Sequence, residues 1–116
     1  MQRVATRQSR GANSAEKRFI GWVKQEPCIC CNAPAPSIAD HAMGATFKKN
    51  KVLIGHFWLL PLCQWCDNVK THGSRRQFIS QFGLMSDLWL KLIEKYEGVI
   101  PLDVIEAIKA MRDEGK

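Results

Sequence analysis

The 116-residue chain is 46% hydrophobic and 24% charged, a balance that reads as a soluble globular protein rather than a disordered chain and leaves room for one small domain rather than a two-domain enzyme. It carries 17 Lys and Arg against 11 Asp and Glu, net +6, distributed unevenly: residues 1–83 hold 12 basic and 4 acidic side chains, residues 84–116 hold 5 and 7. The basic two-thirds is the part to set against a polyanion. The longest apolar stretch, Val52 to Cys63, is interrupted by His56 and Pro61 and falls short of the roughly 20 residues a membrane-spanning helix needs, so no membrane partner is expected.

Residues 1–12 place Arg3, Arg7 and Arg10 among Gln, Ser, Ala and Gly, the composition either of a flexible basic arm that would contact nucleic acid or of an ordinary frayed terminus. The same N-terminal stretch lacks the apolar core of a secretory signal, which predicts a cytoplasmic, reducing compartment and thiolate ligands rather than disulfides. Residues 13–116 then form a single domain. Asn13 with Glu16 makes a capping box, and Phe19, Ile20, Trp22 and Val23 supply one apolar face of a first helix over about 14–25. From Pro27 to Thr46 the chain is rich in Pro, Ala, Cys and Asn, as turns and short extended pieces around a ligand site would be. Lys48, Lys49, Asn50 and Lys51 make a charged loop tip. His56 to Leu60 reads as a short buried strand between Gly55 and Pro61, and a helix follows from Gln64. Ser74 with Gln77 offers a second capping box and Gly83 a C-terminal cap. Ser86 caps a further helix through Tyr96, and Asp103 with Glu106 opens a last one, so the C-terminal helices occupy about 75–114.

Five cysteines are a conspicuous supply of thiols in so short a chain. Cys28 and Cys31 form one C-x-x-C pair and Cys63 and Cys66 another, 31 residues apart. Two such turns close a tetrahedral four-thiolate shell around structural Zn2+, in preference to a redox pair or buried free thiols. Cys30 is left over. A closed shell has no open position, so this zinc would organise the fold and chemistry would lie elsewhere.

Between and after the pairs lie Asp40-His41, His56-Phe57-Trp58, and Leu60-Pro61-Leu62-Cys63-Gln64-Trp65-Cys66-Asp67-Asn68-Val69-Lys70-Thr71. Over about residues 28–72 this pattern resembles the HNH (His-Me finger) nucleases, in which a β-hairpin and a helix hold one metal and a knuckle of two C-x-x-C pairs often clamps the ends. The run Gly55 to Cys63, His72-Gly73, Phe78 and Phe82-Gly83 further looks like the phage recombination-enhancement nucleases of the Ref type, which are RecA-dependent. The resemblance implies that His41 is the general base, since a neutral imidazole is suited to taking a proton from water. It implies that Asp40 ligates Mg2+ or another divalent cation, with Asp67, Asn68 or His72 as further candidate ligands. It also implies DNA as substrate, a RecA filament as partner, and a phage or prophage protein working in a bacterial cytoplasm.

Two positions depart from the family's pattern. Asp67 stands where His or Asn is usual, and Trp58 where an Asn orients the base; a tryptophan offers no side-chain carbonyl for that task. His56, on the same face of the expected strand by alternation, is the candidate substitute as orienter or ligand. Lys48, Lys49, Lys51, Lys70, Arg75 and Arg76 would supply phosphate contacts. Of the four tryptophans, Trp65 alone is expected at the surface. The fold expected is α+β, a zinc-stapled ββα-metal finger with flanking N- and C-terminal helices. The activity expected is metal-dependent hydrolysis of DNA phosphodiesters. The rivals are a non-catalytic zinc-knuckle DNA-binding protein derived from such a fold, and an interaction module whose acidic C-terminal helices bind a partner.

Overall fold

The computed structural model describes residues 12–41 and 47–116; the Arg3, Arg7 and Arg10 expectation lies outside them. Asn13 Oδ1 accepts from the Glu16 N–H and Glu16 Oε1 accepts from the Asn13 N–H, both at 2.9 Å. This capping box opens α1, Ser14–Lys24, as expected. The helix buries Phe19 and Val23, and Phe19 meets Trp22, Phe57 and Tyr96 with ring centroids 5.1–6.0 Å apart.

Strand β1, Ile38–His41, pairs antiparallel with β4, Leu59–Leu62, setting Asp40 opposite Leu60 and His41 opposite Leu59. Between them lies a small hairpin of β2, Lys48–Lys49, and β3, Val52–Leu53. Its two turn residues, Asn50 and Lys51, have φ of 52° and 67°. Two successive positive φ angles give the type I′ turn whose twist suits a hairpin, a conformation Asn tolerates better than Lys.

The strand expected at His56–Leu60 is displaced. Gly55–Phe57 is a 3-10 turn and the strand begins at Leu59, running through Pro61 to Leu62. Gly55, at φ 47°, takes the left-handed conformation that turns the chain. Pro61 fits within the strand because its carbonyl points away from β1 and accepts the Ile29 N–H at 2.9 Å. A strand residue directs N–H and C=O to the same side, so the missing proline N–H costs no bond to β1. The turn is fixed by the buried Trp89 Nε1–H, which donates to the Phe57 carbonyl at 2.7 Å. His56 and Trp58 therefore do not share the face of one strand.

Beyond β4 the chain is helical: α2, Gln64–His72; α3, Arg75–Phe82; α4, Met85–Ile93; and α5, Leu102–Asp113. Ser74 Oγ accepts the Gln77 N–H at 3.0 Å to cap α3, and Gly83, at φ 97°, ends it. The later boundaries differ from expectation. Helix α4 is entered through Leu84, with Ser86 fully buried in its first turn, and it stops at Ile93, where the N–H groups of Lys95 and Tyr96 form tighter i to i−3 bonds. Helix α5 starts after Pro101, whose φ of −55° is already helical, without a side-chain cap.

The described residues thus form a small α+β fold of five α-helices and two two-stranded sheets. All four residues of β4 are buried, which explains its unbroken apolar sequence. Phe19 and Val23 of α1, Phe78 of α3, Trp89 and Leu92 of α4 and Ile108 of α5 join it in one core. Each such side chain contributes about 1.5–3 kcal/mol of burial free energy. Among the described residues no helix is long and apolar enough to cross a membrane.

Candidate functional site

The first C-x-x-C turn folds back on itself: the Asn32 N–H donates to the Cys28 carbonyl at 2.9 Å and the Cys28 N–H to the Ala33 carbonyl at 3.0 Å, with Asn32 at φ 62°. The bond from Ile29 to Pro61 holds this turn against β4. The second pair straddles the start of α2, with Cys63 as its N-cap and Cys66 in its first turn. The Sγ atoms of Cys28, Cys31, Cys63 and Cys66 consequently lie within 4.8 Å of one another, and those of Cys31 and Cys63 are 3.5 Å apart. Tetrahedral zinc with bonds of about 2.3 Å sets its sulfurs about 3.8 Å apart, so the four thiols can hold the ion. Burial opposes ionisation of Cys28, yet the N–H groups of Cys31, Cys63 and Cys30 bring its thiol down to about 7. Burial, then the charges of Cys28 and Cys31, push Cys30 up to about 12. Cys30 stands outside the cluster and packs against the core.

A second group forms where β1 faces the 3-10 turn and α2. His41 Nε2 lies 3.0 Å from His56 Nδ1, and the rings are nearly perpendicular, 5.1 Å between centroids. Burial first, then the charges of His56 and Lys70, lower the His41 pKa, against the pull of Asp40. The imidazole is therefore neutral at pH 7. If His41 donates through Nε2–H, its Nδ1 keeps a free lone pair; His56 Nδ1 is then the acceptor. On the other side Lys70 Nζ lies 2.9 Å from Asp40 Oδ2 and 3.3 Å from the His41 carbonyl oxygen. The Asp40 contact is an ion pair without hydrogen-bond geometry, so Oδ2 is buried with no hydrogen-bond partner. Burial, then a hydrogen bond with Asp40 and its charge, push the Asp67 carboxyl up. Two adjoining carboxyls, one of them ion-paired to Lys70, offer oxygen donors of the kind a hard divalent cation takes.

The structure thus brings together Asp40, His41, His56, Asp67 and Lys70. It sets Asn68 and His72 on the adjoining exposed face of α2, where Asn68 Oδ1 accepts from Gln64 Nε2 at 3.2 Å. Among the described residues no second group of three or more His, Cys and carboxylate ligands converges as the cysteines do. Trp65 is 70% exposed on that face, as expected.

Beside the site lies a groove of about 300 Å³. Lys48, Lys49, Lys70, Arg75 and Lys116 bring five cations to it, over apolar side chains from Phe47, Trp58, Met85 and Met111. Lys70 belongs to both places. Lys51 instead sits at the hairpin turn, and Arg76 is exposed on α3 without lining the groove. Sequence reasoning missed Lys116, which is remote from every motif, and missed that Lys70 meets Asp40; the spacing of Asp67 and Lys70 on one helical face was the available signal.

The family described as "Protein of unknown function (DUF968)" matches residues 7–98. The chain is also similar to "Uncharacterized protein YdfU" of Escherichia coli (strain K12), 28% identical over 83 residues, which is 69% of this chain and 22% of that protein. The chain thus spans about a fifth of the length of that relative. No solved structure matches it.

Proposed function

We propose that this chain, which belongs to the DUF968 family, is a metal-dependent DNA endonuclease of the HNH type. The observation that carries the reading is the His41–His56 contact at 3.0 Å, made beside the Asp40–Asp67 carboxyl pair and a cationic groove. The order strand, antiparallel strand, helix, with a four-thiol cluster at the helix start, supports a zinc-stapled ββα-metal finger as the finer description of the fold.

In this mechanism His56 accepts the His41 Nε2–H and fixes the ring, and His41 Nδ1 takes a proton from water. The water oxygen attacks phosphorus and the bond to the leaving sugar oxygen breaks. A divalent cation held by Asp40 and Asp67 would offset charge on the transition state and the leaving oxygen. Lys70 and the groove cations bind the flanking phosphates. His56 here does the orienting work that Trp58, buried and edge-on to Trp89, cannot do. Phage origin and a RecA filament as partner remain part of the proposal through the resemblance of the motifs.

One observation favours a second reading, a DNA-binding protein without catalysis: Lys70 already neutralises Asp40, where a cation would bind. The test is conversion of supercoiled plasmid and single-stranded DNA with Mg2+ or Mn2+, with RecA added or withheld. Cleavage by the wild type that disappears in His41→Ala, with zinc content and melting unchanged, is the expected result. DNA bound but uncut by the wild type under every condition would overturn the nuclease reading in favour of the second.

A further inference from the structure

The cationic groove has a composition that a duplex backbone does not use. No acidic side chain lines it, and its five cations surround a floor made of the half-buried Phe47 and the outermost atoms of the buried Trp58, Met85 and Met111. A duplex offers such a surface only sugars and phosphates, with its bases stacked and paired inside. An unpaired strand offers phosphates for the cations and a base face for the floor. At one rim, moreover, a carboxylate already occupies the position of an anion. Both oxygens of Glu114, just after α5, lie 2.6 Å from Lys49 Nζ, and Lys116 Nζ is 3.4 Å from its Oε1. Two lysines converging on one oxyanion from different parts of the chain would serve a phosphate equally well.

We infer that the groove binds an unpaired nucleotide of single-stranded DNA, with the base on the apolar floor and a phosphate displacing the Glu114 carboxylate from Lys49 and Lys116. The inference deepens the nuclease reading, on which it rests for DNA as the polymer. It makes the substrate single-stranded or locally opened. It also makes Glu114 a competitor of the substrate, so removing its charge strengthens binding while removing the lysines weakens it.

The test measures binding by zinc-loaded His41→Ala protein, without Mg2+, to a labelled 15-mer single strand, the duplex of the same sequence, and a 15-mer strand of abasic sites. The single strand is expected to bind about tenfold more tightly than either of the others, the scale of one stacked base. Glu114→Gln, at an exposed residue, is expected to tighten single-strand binding severalfold, and Lys49→Gln with Lys116→Gln to weaken it. Equal affinity for the abasic strand, preference for duplex, or looser binding by Glu114→Gln would each overturn the inference. Cleavage by the wild type is scored separately: cutting without single-strand preference removes the inference and keeps the nuclease, and single-strand preference without cutting does the reverse.

Discussion

Replacing Cys63 by serine isolates the contribution of the metal. Cys63 is the N-cap of α2, with φ −79° and ψ 169° and no side-chain cap hydrogen bond. Serine is among the best N-cap residues, so the substitution leaves the helix start intact or improved and removes one thiolate from a cluster whose sulfurs lie within 4.8 Å. Structural zinc sites bind with about 10–16 kcal/mol at pH 7, and this is folding free energy where the site is absent from the unfolded chain. Shared over four ligands, losing one costs about 2.5–4 kcal/mol. A domain of this size gains or loses roughly 4 °C in Tm per kcal/mol, which puts the expected fall at roughly 10–15 °C. Circular dichroism melting with zinc counted by native mass spectrometry gives both readings. A chelator, which removes the metal altogether, should lower the wild-type Tm at least as far as the substitution does. A Tm within about 2 °C of wild type, with one zinc equivalent retained, would refute the reasoning.

Three further outcomes can be checked on the same protein. His56→Ala should slow plasmid cleavage by about 100-fold, the scale of a misplaced general base, while gel-shift affinity for DNA is retained; full activity would remove His56 from the mechanism. Lys70→Met leaves Asp40 and Asp67 without their counter-charge, so its melting temperature should fall in metal-free buffer and recover with millimolar Mg2+ in a thermal-shift assay; no Mg2+ response would argue against a cation at these carboxyls. Trp89→Phe removes the buried hydrogen bond to the Phe57 carbonyl and should cost about 1–3 kcal/mol in urea unfolding, with cleavage falling as the His56 turn loosens.

Local signals in the chain were legible where a single short-range contact decides the outcome. Asn13 and Glu16 bond reciprocally three residues apart, Ser74 caps α3, and each C-x-x-C pair closes a turn from its own residues; spacing is then geometry. The placement of Asp40 near Asp67 was implied by the family resemblance alone, because the pairing of β1 with β4 that sets α2 against β1 has no local signal. The region around His56 was misread because alternation presumes a continuous strand. Gly55 can take a positive φ, and a proline inside a strand argues against the assignment unless the neighbouring segment is known; Ile29 supplies that segment from 32 residues away.

The groove was the least legible part for a related reason. Its cations come from a hairpin, two helices and the C-terminal residue, its floor from four separate segments, and no periodicity links Lys48 to Lys116. Net charge placed the basic character in the N-terminal two-thirds. Yet Lys116 comes from the acidic segment, and the nearby Glu114 is a carboxylate held against Lys49. The acidity of the C-terminal third therefore does not have to mean a second, protein-binding face. One of its carboxylates sits against the cations that would hold DNA phosphate, so charge of both signs in this chain can serve the same groove.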